Sequence, residues 1–129
     1  MNKYKLVPNA FLFTLVLAIF AFPALGEVVP EITGSLSNFE VRNSDTSRYE
    51  GFELVLSGKL GPRCIDGFYP GWGAPPKVKA GTPFSRSGVT ITWKNRRDPI
   101  TPGRVEHFGI KLACNAKFDA RGFWSIEGK

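Results

Sequence analysis

The feature that most restricts the fold of this chain is a period of two. Phe52, Leu54 and Leu56 alternate with Glu53, Val55 and Ser57. Val89, Ile91 and Trp93 alternate with Thr90, Thr92 and Lys94, and Phe108, Ile110, Leu112 and Cys114 alternate with Gly109, Lys111 and Ala113. Successive side chains leave a strand on opposite faces, so apolar residues at every second position mark strands with one buried face. Trp124 and Ile126 close the chain in the same style, and Phe39 and Val41 place an earlier strand near residues 35–42. No stretch after residue 26 carries the apolar stripe of an amphipathic helix.

Turn chemistry separates these runs. Asn43 to Ser47, Asn95 to Gly103 (with Pro99 and Pro102) and Asn115 to Gly122 are rich in the residues that build turns, and the last is expected to lead into a final hairpin. The pattern predicts an all-β fold, an antiparallel β-sandwich of the immunoglobulin-like kind. The segment from Gly58 to Gly88 is long for a connection in so small a domain. It is full of Gly and Pro, holds Phe68, Tyr69 and Trp72, and has room for a short strand at Lys77 to Lys79.

The chain has 2 cysteines, Cys64 and Cys114. An even count in a small exported domain reads as a disulfide. Closing a loop of about 50 residues gives up to about 4 kcal/mol in the chain-entropy model. With no C-x-x-C pair and 1 histidine, a zinc set is not indicated. Parity puts Cys114 among the inward positions, so the bridge is expected to tie a loop to the sheet.

Export is read from residues 1–26. Lys3 and Lys5 precede an apolar stretch from Ala10 to Phe22, Pro23 breaks it, and Ala24-Leu25-Gly26 supplies small residues for a signal peptidase. The apolar core is shorter than the roughly 20 residues of a spanning helix. A signal-peptide helix over 1–26 is therefore expected, with cleavage before Glu27 and no stable membrane span afterwards. Residues 27–129 then form one exported domain of about 100 residues. Of 17 basic and 11 acidic residues in the chain, Lys3 and Lys5 leave with the leader. The remaining mild positive balance suits anionic envelope polymers and does not argue for nucleic acid. The destination is secreted or periplasmic.

Four candidate sites stand out. Phe68, Tyr69 and Trp72 on a Gly/Pro loop form either a platform for sugar rings or a lid folded onto the sandwich. Arg96 and Arg97 in the turn after Lys94 form either an anion site or a solvated hairpin tip that discourages edge pairing. His107 falls on the parity opposite Phe108 and is expected exposed or on a sheet rim, in a structural role. Glu40, Glu50, Glu53 and Asp66 contain no spacing that singles out a catalytic pair. There is no nucleophile elbow, no phosphate-cradling glycine motif and no calcium loop. No catalytic residue, metal or cofactor is assigned.

The order of short motifs adds a resemblance. Asn43-Ser44-Asp45-Thr46 is followed by Gly51-Phe52-Glu53-Leu54-Val55-Leu56-Ser57-Gly58, then Gly73-Ala74-Pro75, then His107-Phe108-Gly109. This resembles a group of secreted bacterial proteins of no established activity, some with PEP-CTERM sorting tails. Those proteins carry an N-D-T-G turn, a GFE-hydrophobic-x-L-x-G strand, a YG-x-P segment and a late HFG motif. The likeness runs from about Asn38 to Leu112. This chain lacks the glycine of the turn and the sorting tail. The resemblance implies export and a sandwich-like fold, and it supplies no catalytic residues.

Together these readings favour an exported, non-enzymatic binding or structural module of the cell envelope or extracellular space. Its partner would be an envelope protein or a polysaccharide, and the oligomeric state is open. The alternatives are a carbohydrate-binding module using the aromatic loop and a small secreted hydrolase. A glycine inside the late strand, Gly109, is expected to mark a bulge or a close backbone approach, and His107 to cap a neighbouring loop.

Overall fold

A computed structural model describes residues 29–69, 72–73 and 75–125. The expected leader and Ile126 lie outside the described residues. The chain forms β1 (Glu31–Ser35), β2 (Asn38–Arg42), β3 (Gly51–Gly58), a single 3-10 turn (Pro62–Cys64), β4 (Ile65–Phe68), β5 (Lys77–Thr82), β6 (Ser85–Lys94), β7 (Val105–Phe108), β8 (Ile110–Leu112) and β9 (Phe118–Trp124). Every strand pairing is antiparallel. The all-β antiparallel expectation holds.

One layer is the four-stranded sheet β5-β6-β3-β9. Facing it are the sheet β1-β2-β7 and the ribbon β4-β8, which the chain joins through Gly109, between β7 and β8. The layers meet through aromatic rings. Phe108 from β7 lies 4.9 Å from Phe52 and 5.0 Å from Trp93, measured between ring centroids, and Phe39 from β2 lies 6.1 Å from Phe52. All four are buried, and each removes a large apolar area from water. The inward residues of the alternating runs, Phe52, Leu54, Leu56, Val89, Ile91 and Trp93, are the core of the sandwich.

Gly109 explains a departure from the expected strands. A side chain there would put its Cβ 2.1 Å from the Ser37 carbonyl oxygen and 3.1 Å from the Tyr69 Cβ. Ile110 N–H donates to the Leu36 carbonyl at 2.9 Å, and Tyr69 N–H donates to the Gly109 carbonyl at 2.9 Å. The backbone is thus clamped between the β1–β2 turn and the end of β4. The run from Phe108 to Cys114, expected as one strand, is divided between two sheets at this point. The close approach expected of Gly109 is present.

The disulfide joins Cys64 to Cys114. Cys64 is buried at the end of the 3-10 turn, and Ala113 N–H donates to its carbonyl at 2.7 Å. Cys114 is exposed, contrary to the inward position parity suggested, because β8 ends at Leu112 and parity no longer fixes direction beyond it. The bridge therefore clamps the open end of the β4–β8 ribbon.

Three further differences come from local sequence. The span from Gly58 to Gly88 is a 3-10 turn and parts of four strands, not one long loop. The span from Asn115 to Gly122 does not lead into a hairpin: β9 begins at Phe118, and Gly122 pairs with Leu54 inside the sheet. The missing side chain at Gly122 is what admits Ile32 and the Phe52 ring, since a Cβ there would lie 2.1 Å from Ile32 Cδ1. β1 is an additional strand with a single core-facing apolar residue, Ile32.

Candidate functional site

The aromatic loop is best built from Trp72. Its indole is buried, lies edge-on to Phe108 with centroids 5.7 Å apart, and donates from Nε1 to the Asp98 carbonyl at 2.7 Å. Phe68 is half-buried and edge-on to Trp93 at 6.3 Å. Of the three rings, Tyr69 alone is exposed. Trp72 and Phe68 are thus turned toward the sandwich, each in edge-to-face contact with a core ring. The Trp72 backbone has a left-handed φ of 55°, and Gly73 follows at 90°. Those two turns of the chain tuck the indole inward.

Trp72 caps one end of a polar weld. Asn43 is fully buried and satisfied: Nδ2 donates to the carbonyls of Ser47 (2.7 Å) and Ile100 (2.8 Å), and Oδ1 accepts from Asp45 N–H (2.9 Å). The Tyr49 hydroxyl donates to Asp45, while its ring stacks parallel on Trp124 at 4.6 Å. The Tyr49 hydrogen bond holds the Asp45 carboxyl below its ordinary range. Burial, and then the neighbouring Asp45, push the Tyr49 phenol up.

Arg104 makes the second half of the weld. Its guanidinium is bidentate to Asp98 (2.6 and 2.9 Å) and also reaches Glu106 at 2.6 Å and the Pro99 carbonyl at 3.1 Å. Hydrogen bonds donated by Arg104 hold the Asp98 carboxyl below its ordinary range, and the same bonds to Asp98 push the Arg104 guanidinium pKa up. The perturbed ionisable groups of the described residues therefore spend their polar atoms on one another.

The remaining candidates are dispersed. Arg96 and Arg97 are exposed on a turn whose backbone is held by Asn95, with Oδ1 accepting from Arg97 and Asp98 N–H groups at 3.2 and 3.1 Å. Arg96 lies 3.9 Å from Glu50. His107 is exposed on the solvent face of β7 and pairs in register with Glu40, with Nε2 3.3 Å from its carboxylate. Glu40, Glu50, Glu53 and Asp66 fall on β2, before β3, on β3 and on β4, and the fold does not gather them. Among the described residues no group of three or more His, Cys, Asp or Glu is placed to hold a metal ion.

The structure adds a feature that the sequence reading missed. The β5–β6 hairpin does not continue straight past the sheet. Gly81 and Gly88 adopt left-handed φ values of 87° and 95°, and a Cβ at Gly88 would lie 2.4 Å from the Leu56 carbonyl oxygen. Residues 85–88 leave the β3 ladder, whose last pair is Leu56 with Val89. The tip folds across the outer face of the sheet and is fixed by Thr82, whose Oγ1 accepts from the N–H groups of Phe84 (3.1 Å) and Ser85 (3.0 Å). Phe84 lands 6.2 Å from Phe123 of β9. Val55 is buried although it points outward. Phe84 itself stays 65% exposed and borders a shallow cleft of about 270 Å³ with Ser57, Asp119 and Arg121. The signal available in the sequence was the pair of glycines flanking Thr82-Pro83-Phe84-Ser85.

No protein-family model matches the chain, and no curated protein or solved structure is similar to it.

Proposed function

We propose that the chain is exported and serves as a non-enzymatic binding or structural module of the cell envelope or extracellular space. Its contacts are made on the outer face of the β5-β6-β3-β9 sheet. The observation that carries this reading is Phe84. A large apolar ring is held in water by a hydrogen-bonded turn and by its contact with Phe123, beside a cleft carrying opposite charges. A ring already fixed loses little freedom when a partner arrives, and buried aromatic anchors carry much of the energy of interfaces. Export is supported by the disulfide, a bond that persists in oxidising compartments. The resemblance to secreted bacterial proteins and the leader-like sequence agree with it.

The test is expression of the full chain in an exporting bacterial host, followed by fractionation. The recovered protein is then pulled down on purified cell wall and on insoluble polysaccharides at low and high salt, beside Phe84→Ser. The expected result is a processed chain outside the cytoplasm whose retention falls in Phe84→Ser with its melting temperature unchanged. Retention confined to polysaccharide would narrow the reading to carbohydrate binding. Turnover of glycoside or ester substrates, equal in the variant, would contradict the proposal in favour of a small hydrolase.

A further inference from the structure

On the outer face of the four-stranded sheet two opposite charges stand near one another and do not meet. Asp119 and Arg121 both lie on β9 with one residue between them, so their side chains leave the same face. Such positions are about 6.5–7 Å apart along a strand. Both side chains are exposed, and neither makes an ion pair among the described residues. Asp119 pairs in register with Ser57. Ser57, Phe84, Asp119 and Arg121 line the shallow cleft of about 270 Å³.

An anion, a cation, a hydroxyl and an apolar ring therefore border one cleft, and the ring is held by the Thr82 turn and by Phe123. The charges decide what suits it. A simple anion at Arg121 would lie beside the Asp119 carboxylate, and a simple cation at Asp119 beside the Arg121 guanidinium. Each would set one attraction against one repulsion. A ligand that brings both charges gains at both ends, and hydrogen bonds between charged partners are roughly twice as strong as neutral ones. The cleft is also smaller than the roughly 300–1,000 Å³ of sites that enclose drug-sized molecules. Its occupant is small, and its two charges are only a few ångströms apart.

We propose that this cleft binds an amino-acid zwitterion of dipeptide size or less. Arg121 takes the carboxylate and Asp119 the ammonium. Ser57 hydrogen-bonds beside Asp119, and the Phe84 ring covers the aliphatic carbons between the charges. The proposal rests on the reading of the outer face as the contact surface and names the chemistry that this face recognises.

The test is an NMR titration of isotope-labelled protein, recovered from expression of the full chain, with dialanine. Saturable shifts are expected in the amides of Ser57, Phe84, Asp119 and Arg121. Blocking either end of the probe, as the C-terminal amide or the N-acetyl form, is expected to weaken binding about fivefold, the upper range for an exposed ion pair. Arg121→Gln is expected to bind dialanine and its amide alike, and Asp119→Asn to bind dialanine and its N-acetyl form alike. Both positions are exposed, so the fold is expected to survive either change. A general effect on structure would not match each variant to one end of the probe. An unmoved cleft, native binding indifferent to both blocked ends, or variants without this matching would overturn the proposal. So would stronger binding of a neutral disaccharide at the same amides. Cell-wall retention that falls in Phe84→Ser beside a silent titration would overturn this inference and leave the envelope reading standing. Dialanine bound as described by a chain that cell wall does not retain would support this inference against that reading.

Discussion

The loop end around Asn43, Trp72 and Arg104 and the outer face around Phe84 and β9 are built on opposite plans. At the loop end these three side chains make their polar contacts inside the molecule: Asn43 with the backbone of Ser47, Ile100 and Asp45, Trp72 with Asp98, and Arg104 with Asp98, Glu106 and Pro99. On the outer face, Phe84, Asp119 and Arg121 stand exposed, although the hairpin beneath Phe84 is firmly turned. Residues that look like a motif can be holding loops together, while the residues left over for a partner sit where no motif marks them. Perturbed ionisation often points to a site, yet structural ion-pair networks perturb it as well. Here the perturbed groups belong to the weld.

The comparison breaks most readily at Trp72. Trp72→Ala empties a buried indole site and frees the Asp98 carbonyl, and is expected to cost about 3–5 kcal/mol in denaturant unfolding. A loss below about 1 kcal/mol would mean that the loop is not the lid described here.

A second, pH-dependent effect sharpens the weld. The folded-state pKa values of Asp45 and Asp98 lie below their ordinary values, so their contribution to stability is full above the unfolded carboxylate pKa, about 3.9, and is lost as pH falls through the folded values. Tyr49 has the opposite sign: its contribution is full below about 10 and is lost as pH rises through its raised folded pKa. The melting temperature is expected to hold a plateau between these limits and to fall on both sides. Asp98→Asn is expected to flatten part of the acid limb, and an unchanged acid limb would remove Asp98 from the weld.

The smallest effect is expected on the outer face. Phe84→Ser should change unfolding free energy by no more than about 0.5 kcal/mol, as for an exposed surface position. A loss near that of Trp72→Ala would show Phe84 to be a core residue of the hairpin, and the contrast between the regions would collapse.

Much of the sandwich was legible in the sequence because period two is a direct consequence of strand geometry. Phe52, Leu54 and Leu56 and Val89, Ile91 and Trp93 are the inward faces of β3 and β6 for that reason. The pattern fails where the chain changes partner without changing parity. Phe108 and Ile110 both point inward, so nothing in their spacing reports that Gly109 hands the chain from one sheet to another. β1 and β4 were hidden because Ile32 is the one core-facing apolar residue of the first, and the second is four residues long. The disulfide followed from cysteine number and the expected export, but the exposure of Cys114 depended on where β8 stops. Of the candidate sites, His107 lies exposed as its parity suggested, paired with Glu40 on the sheet face and not capping a loop. The outer face was illegible because Phe84 is isolated in the sequence. Its placement depends on two left-handed glycines and on a cross-strand neighbour, Phe123, that is distant along the chain.

The most direct test of the contrast is photocrosslinking in the intact envelope, with a photoreactive amino acid placed at Phe84 or at Thr101, an exposed residue of the welded loops. The expected result is discrete adducts from position 84, to an envelope component, and none from position 101. Adducts from position 101 with a silent position 84 would contradict it and move the contact surface to the opposite region of the molecule.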